Sequence, residues 1–259
     1  MVLTVNIGNT HTCIGAYSES GNRLLSAKLS TATRRTADEY RLALRQLLSI
    51  EDLLSEPIDG AIIGSVVPSR TEYLLTALHS MTNCRVLTVG PGLKSGLAIR
   101  IDDPSQLGSE ILCAAVGGLK LSQPPLVLLC ADTALSMIAV DQRGSLVGGV
   151  ILPSPQTAIN SLVANTAQLP QIDLSSTGPA PSVLASSSAA CLRAGGILGT
   201  AFMLDGLLSR FEKELGQCPT VIATGTLPQA ILRTCHFPIH YEPSLILDGM
   251  FAIWKRNQR

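Results

Sequence analysis

This chain of 259 residues has few charged side chains, and their charges cancel. Charged residues make up 15% of the sequence, with 19 Lys and Arg against 19 Asp and Glu, while hydrophobic residues make up 46%. The absence of a basic patch or tail argues against nucleic acid and acidic membrane surfaces as partners. The apolar content is typical of a globular chain, and the length suits one large domain or two small ones.

The seven cysteines are odd in number and form no Cys-x-x-Cys pair. This pattern favours reduced, mostly buried thiols over a disulfide framework or a zinc site. The start of the chain lacks a charged segment followed by an apolar one, and no run approaches the roughly 18 apolar residues of a membrane span. We therefore predict a soluble, cytoplasmic protein that does not cross a membrane.

The common nucleotide-binding signatures are also missing. There is no Gly-x4-Gly-Lys-Ser/Thr loop, and the glycine-rich segment 90–96 has the wrong spacing for that loop or for a dinucleotide-binding turn. Pro91 removes one backbone N–H donor from the same segment. Taken alone, this spacing predicts a structural loop.

The first 17 residues carry a different kind of signal, namely a strand, a glycine turn and a second apolar strand. Gly8 and Asn9 tolerate positive φ, and Asn9, Thr10 and Thr12 offer short polar side chains beside backbone N–H groups. A hairpin turn of this kind can hold a phosphate because several N–H dipoles converge on one point. An ordinary surface hairpin remains the alternative interpretation.

The remaining chain alternates between predicted strands and helices. In the first half we predict strands at 2–7, 13–17, 22–29, 60–66 and 84–89, and helices near 36–49, 68–80 and 105–118. Thr36 followed by Glu39 is a capping-box pattern for the first helix. In the second half we predict strands at 126–131, 134–140, 145–151 and 219–223, helices near 155–165, 187–216, after Gly225 and at 244–256, and a loop at 172–182.

The two halves begin alike, each with a strand, a short turn containing threonine, a second strand and a turn into a third. This internal similarity predicts an α/β protein with two similar lobes facing one cleft, divided as 1–121 and 122–259 at the proline-rich break Ser122–Pro125. An accidental similarity between two α/β lobes is the alternative.

Several segments together resemble the type III pantothenate kinases. They are Val5–Thr12, Arg34–Glu39, Gly90–Leu97, Asp102–Pro104, Gly148–Pro153, Asp205–Leu207 and Val221–Gly225, which stand in the order and at the separations of that family. The resemblance implies two ribonuclease-H-like lobes of the actin-like ATPase type. It also implies ATP-dependent phosphorylation of pantothenate, the first step of coenzyme A synthesis, by a dimer with its sites near the subunit interface.

The resemblance implies a nucleotide site at the first turn. The residues expected to bind ATP are Asn6, Gly8, Asn9, Thr10, His11, Thr12 and Thr133. Asn6 replaces a family aspartate that lies near the ATP phosphates and Mg²⁺, and a carboxamide lends a hard divalent cation no charge.

The acceptor and cation sites depart further from the family. Glu110 is the candidate base, one methylene longer than the family's aspartate, and it must lie within hydrogen-bond reach of the hydroxyl proton. The residues expected to contact pantothenate are Ile101, Gly108, Ser109, Ile111 and Ser188, where the two isoleucines replace a tyrosine and an arginine. Asp132 lies two residues after Cys130, which replaces the family's cation-binding aspartate. If the strand continues through Asp132, its side chain faces the same way and could hold a cation, either Mg²⁺ or a monovalent K⁺ or NH₄⁺.

These departures leave three functions open. The chain is a pantothenate-type kinase with an altered site, or a non-catalytic or half-active subunit that pairs with an intact relative, or a relative recruited to another small carboxylate substrate. A homodimer or a heterodimer with a related subunit fits the first two.

Overall fold

A computed structural model describes residues 1–175 and 181–258, and these residues form two compact units. Unit 1 comprises residues 1–97, 102–121 and 244–259, and unit 2 comprises residues 98–101 and 122–243. Each unit is built around one mixed β-sheet.

The sheet of unit 1 has five strands, β1 (Val2–Ile7), β2 (His11–Tyr17), β3 (Arg23–Ser30), β4 (Gly60–Ser65) and β5 (Val86–Thr88). Their order is β3-β2-β1-β4-β5, with β1, β2 and β3 antiparallel and β1, β4 and β5 parallel. Every residue of β1 is buried, including the polar Thr4 and Asn6, as is typical of a central strand with a parallel neighbour.

Four helices pack in this unit, α1 (Ala37–Ile50), α2 (Pro68–Met81), α3 (Ser109–Leu121) and α8 (Leu245–Arg256). The predicted capping box is confirmed, because the Glu39 amide donates to the Thr36 hydroxyl and the Thr36 amide donates to the Glu39 carboxylate. Helices α3 and α8 cross closely at two glycines. A Cβ on Gly117 would meet the Leu245 carbonyl, and a Cβ on Gly249 would meet the Cys113 carbonyl.

The sheet of unit 2 has six strands, β6 (Ala98–Ile99), β7 (Leu126–Ala131), β8 (Ala134–Val140), β9 (Ser145–Pro153), β10 (Thr220–Gly225) and β11 (Ile239–Tyr241). Their order is β11-β10-β7-β8-β9-β6, so β7 to β11 repeat the order of β1 to β5. As in unit 1, the first three strands of the repeat are antiparallel and the last two are parallel. The predicted pair of ribonuclease-H-like units is confirmed.

The helices of unit 2 are α4 (Pro155–Ala164), α5 (Ser188–Ala194), α6 (Thr200–Leu215) and α7 (Gln229–Thr234), and a π-helical turn at Gly195–Gly199 joins α5 to α6. By length and composition alone, the joined helix Ser188–Leu215 is long and apolar enough to cross a membrane. This was not predicted from the sequence, because the helix contains no long uninterrupted run of apolar residues. Its residues Leu192, Ala201 and Leu208 lie in the hydrophobic core of unit 2, as in a core helix of a soluble protein.

The predicted boundaries differ most from the structure in two places. The division at 121/122 assigns 244–259 to the second lobe, whereas α8 packs against α3, β1 and β4 in unit 1. The helix predicted at 105–118 is a 3₁₀ turn (Pro104–Gln106) followed by α3, because Leu107 has an extended backbone that separates the turn, which Asp103 caps at its start, from the helix. The predicted loop 172–182 includes 176–180, which lie outside the described residues.

Candidate active site

The first turn joins β1 to β2 through three residues, Gly8, Asn9 and Thr10. The Gly8 amide donates to the His11 carbonyl at 2.9 Å, and the Thr10 carbonyl accepts from the Thr31 amide at 2.9 Å. Gly8 is buried, whereas Asn9 and Thr10 are exposed and can meet a ligand from solvent. Neither Gly8 nor Asn9 has positive φ, so the turn does not use the conformation that these two residue types tolerate.

Thr12 and His11 follow the turn on alternate faces of β2. Thr12 is fully buried, and its hydroxyl lies 2.9 Å from the Thr31 hydroxyl. This contact fixes Thr12 in the interior of unit 1, so it is the predicted ATP contact that the geometry supports least. His11 is half-buried and remains closer to solvent.

A hydrogen bond joins the first strand to the candidate base. The Asn6 Nδ2 donates to the Glu110 Oε1 at 2.9 Å, across 104 positions of sequence. Asn6 is 4% exposed and Glu110 is half-buried, so this carboxylate contact is partly buried at the end of β1, just before the first turn. A hydrogen bond to a carboxylate favours its ionised form.

Glu110 lies in the first turn of α3, where the helix dipole also favours a negative charge. Gly108 precedes this helix, and its carbonyl accepts from the Leu112 amide at 3.1 Å. Burial, followed by the nearby Glu110 charge, raises the pKa of the Cys113 thiol, so that thiol is neutral at physiological pH. Ile111 is half-buried on the same helix.

Two further polar atoms lie close to this pair. The Asn6 Oδ1 and the Ser109 Oγ are both buried, and neither has a hydrogen-bond partner within the described chain. A Cβ placed on Gly64 would lie 3.4 Å from the Asn6 Oδ1 and 3.5 Å from the Ser109 Oγ. Glycine at position 64 therefore keeps a side chain out of the space that both atoms face.

This donor set bears on the expected Mg²⁺. It offers one carboxylate, one amide oxygen and one hydroxyl, and the described residues contain no group of three His, Cys, Asp or Glu side chains that could hold a metal. Mg²⁺ commonly binds through one or two carboxylates, water and substrate phosphates. The residues therefore fit an ion that arrives with a nucleotide and do not form a dedicated protein cage.

The counterpart turn of unit 2 is Asp132–Thr133, between β7 and β8. The strand ends at Ala131, so the premise that Asp132 continues the strand is wrong. The Asp132 amide instead closes a tight turn by donating to the Ala134 carbonyl at 2.9 Å. The Thr133 carbonyl accepts from the Thr157 hydroxyl at 2.9 Å, which ties the turn to the start of α4.

The remaining predicted residues also lie in unit 2. Ser188 is exposed at the first position of α5, one residue after its cap Ser187. Ile101 is half-buried, just after β6. Neither residue carried a local sequence signal of its own, because each was assigned through the family resemblance.

Sequence reasoning missed the Asn6–Glu110 contact and the open face of Gly64. No local signal indicates either one, since the contact depends on α3 packing beside the ends of β1 and β4. The glycine is visible in the sequence only as one small residue within an apolar strand.

Comparisons with known proteins agree with this architecture. The chain matches the type III pantothenate kinase family over residues 2–210. It is 30% identical to the type III pantothenate kinase of Exiguobacterium sp., covering 100% of both chains, and 31% identical to that of Bacillus cytotoxicus, covering 99% of this chain and 97% of the relative.

Two solved structures resemble the fold at low sequence identity. The activator of 2-hydroxyisocaproyl-CoA dehydratase from Clostridium difficile, with bound ADPNP, has a TM-score of 0.53 and 13% identity, covering 97% of this chain and 92% of that one. An ethanolamine utilization protein from Carboxydothermus hydrogenoformans has a TM-score of 0.54 and 12% identity, covering 97% and 88%. At these identities the likeness concerns the fold alone.

Proposed function

Because this chain belongs to the type III pantothenate kinase family, we propose that it transfers the γ-phosphoryl group of ATP to pantothenate in the cytoplasm. The observation that supports this best is the part-buried 2.9 Å hydrogen bond from Asn6 to Glu110 near the exposed first turn. It holds one carboxylate oxygen of the candidate base, which supports the proposed role of Glu110.

Glu110 is the proposed general base. Its ionised carboxylate accepts the proton of the pantothenate hydroxyl while that oxygen forms a bond to the γ-phosphorus. The bond from the γ-phosphorus to the bridging oxygen breaks, and ADP leaves. Phosphoryl transfer depends on positioning and charge neutralisation, and a base acts only within hydrogen-bond reach of its proton.

The exposed Asn9 and Thr10 are the proposed nucleotide contacts of unit 1, with Gly8 and His11 shaping the turn. Mg²⁺ would arrive on the ATP phosphates and neutralise part of their charge. In unit 2 we assign Thr133 to the nucleotide and Asp132 to a cation, including a monovalent one. Ile101, Gly108, Ser109, Ile111 and Ser188 are the proposed acceptor contacts.

Titration calorimetry with ATP–Mg²⁺, with and without pantothenate, tests this proposal. Two binding events and an ATP-dependent product from pantothenate support it, provided that Glu110→Ala removes the product and keeps the fold. Binding of neither ligand by folded protein would overturn it.

A non-catalytic or half-active subunit is the second candidate, favoured by the small number of carboxylates at the site. Such a subunit would pair with an intact relative and contribute part of a shared site. Purification from the native source distinguishes the two, since a strictly homomeric and active preparation excludes this candidate.

A third candidate is a kinase for another small carboxylate substrate. Ile101 and Ile111 favour it, because neither can make the bidentate contacts of an arginine. Substrate screening by mass spectrometry tests it, and a preference for pantothenate would contradict it.

A further inference from the structure

We propose that Asn6 is a positioning residue for Glu110, and that its role is to aim and hold the ionised carboxylate. This inference rests on the proposed function only where it concerns catalysis. The pairing itself is a property of the folded chain and can be tested without turnover.

The donor and acceptor groups of Asn6 and Glu110 are complementary. The Asn6 Nδ2 is a hydrogen-bond donor and contacts the Glu110 Oε1. An ionised carboxylate carries no donor, so its oxygens can only accept. The contact is 2.9 Å long, with Asn6 4% exposed and Glu110 half-buried, so water is excluded from the Asn6 side of the bond. Such a partly buried, charge-assisted hydrogen bond restricts the rotamers of the flexible glutamate side chain.

The length of the Glu110 side chain allows this contact. Glu110 lies in the first turn of α3 and must extend to the end of β1 to meet Asn6. An aspartate at 110 would be shorter by one methylene, about 1.5 Å, so the 2.9 Å contact would lengthen beyond hydrogen-bond range. The long acid and the neutral amide are therefore a matched pair.

An aspartate at position 6 would change the charge beside Glu110. It has the shape of asparagine but would place a second carboxylate at hydrogen-bond distance from Glu110. Two such carboxylates cannot both ionise easily, so one pKa rises strongly. Asn6 avoids that conflict and leaves Glu110 able to take a proton at neutral pH.

The test uses Asn6→Asp, the reverse-polarity pair Asn6→Asp with Glu110→Gln, and Asn22→Asp as a matched charge control on an exposed turn of the same unit. Carboxyl ¹³C NMR titration should show one carboxyl pKa raised by about one unit or more in Asn6→Asp and no such change in Asn22→Asp. We expect Asn6→Asp to lower the midpoint of thermal unfolding. In the double variant, the introduced glutamine amide would donate to the introduced aspartate, so most of that decrease should be recovered.

The activity measurements separate positioning from folding. If the protein phosphorylates pantothenate, Asn6→Asp should lower kcat at least about tenfold at pH 7 with a smaller change in KM, and the loss should shrink as pH rises. The double variant should regain stability but not kcat, because its base is gone.

Two outcomes would overturn the inference. An unchanged set of carboxyl pKa values in folded Asn6→Asp would show that the two side chains do not interact. A raised pKa with an unchanged kcat and pH profile would show that the contact is structural only. An inactive wild type that still shows the pKa change and the recovery in the double variant would remove the kinase proposal and keep the pairing.

Discussion

The two units share one strand order, but the next-to-last residue of the first strand has different surroundings in each. In unit 1 this residue is Asn6, which pairs in register with Cys13 on β2 and Gly64 on β4. In unit 2 it is Cys130, which pairs with Ser136 and Thr224.

The difference lies in what the neighbouring parallel strand supplies. Gly64 leaves open the space that the Asn6 amide oxygen faces, whereas Thr224 is 1% exposed and places a side chain in the interior. The repeated fold therefore places a buried amide beside a glycine in unit 1, and a half-buried thiol beside a buried threonine at the matching position of unit 2.

The largest expected effect comes from removing the carboxylate of unit 1. Glu110→Ala should reduce phosphorylation by about 10²- to 10⁴-fold, the usual contribution of a general base. Asp132→Ala, which removes a carboxylate from the turn of unit 2, should mainly raise the concentration of cation that activity requires. Steady-state kinetics at varied Mg²⁺ and K⁺ checks both. Equal losses of kcat in the two variants would contradict the contrast between the units.

The next effect concerns stability, and each unit offers one glycine for the comparison. A Cβ on Gly249 would meet the Cys113 carbonyl in unit 1, and a Cβ on Gly225 would meet the Ala131 carbonyl in unit 2, where Gly225 also has φ +93°. We expect either alanine variant to lose about 3 kcal/mol in free energy of unfolding. Urea denaturation measures this, with Gly206→Ala, whose Cβ would meet nothing within 4 Å, as the control.

A smaller effect, present near neutral pH and lost at low pH, should appear in unit 2. Burial tends to raise the pKa of Asp205, but the backbone and side-chain hydrogen bonds from His236 and the Phe237 amide outweigh it, so the pKa is lowered. A lowered folded pKa stabilises the protein above the unfolded value, about 3.9, and this contribution is lost as pH falls through the folded pKa.

Replacing this acid removes that pH dependence. Asp205→Asn should therefore be less stable than wild type near pH 6, and the difference should shrink below pH 4. Asp102→Asn, at an exposed position, serves as the control for the loss of one carboxylate. A constant difference between Asp205→Asn and wild type across this pH range would count against the assignment.

The smallest effect belongs to the α1 cap in unit 1. Thr36→Ala removes the side chain that accepts from the Glu39 amide and should cost about 1 kcal/mol. Thr36→Ser keeps the hydroxyl and should stay close to wild type. Thermal unfolding of both variants decides whether the cap contributes as expected.

Local patterns in the sequence were sufficient for the parts of the fold that local forces decide. The capping box at Thr36 and strand β1 were predicted from nearby residues, and the similar start of the two halves predicted two similar units. Short edge strands such as β6 and β11 were missed, since two or three residues carry too little periodicity.

The features that could not be predicted from the sequence depend on packing between distant segments. The return of α8 to unit 1 depends on Gly117 and Gly249 allowing two helices to cross closely. The contact between Asn6 and Glu110 spans 104 positions, and neither residue signals the other. The strand ends at Ala131 as predicted, and the tight turn at Asp132 removes the strand continuation on which the expected orientation of the Asp132 side chain depended.

Product analysis by mass spectrometry tests the central claim most directly. Purified wild type and Glu110→Gln are incubated with ATP, Mg²⁺ and pantothenate, and both proteins are first verified as folded. We predict phosphorylated pantothenate from the wild type and a loss of at least about 10²-fold in Glu110→Gln. Equal product from both proteins, or none from the wild type, would contradict the assignment of Glu110 as the base of a pantothenate kinase.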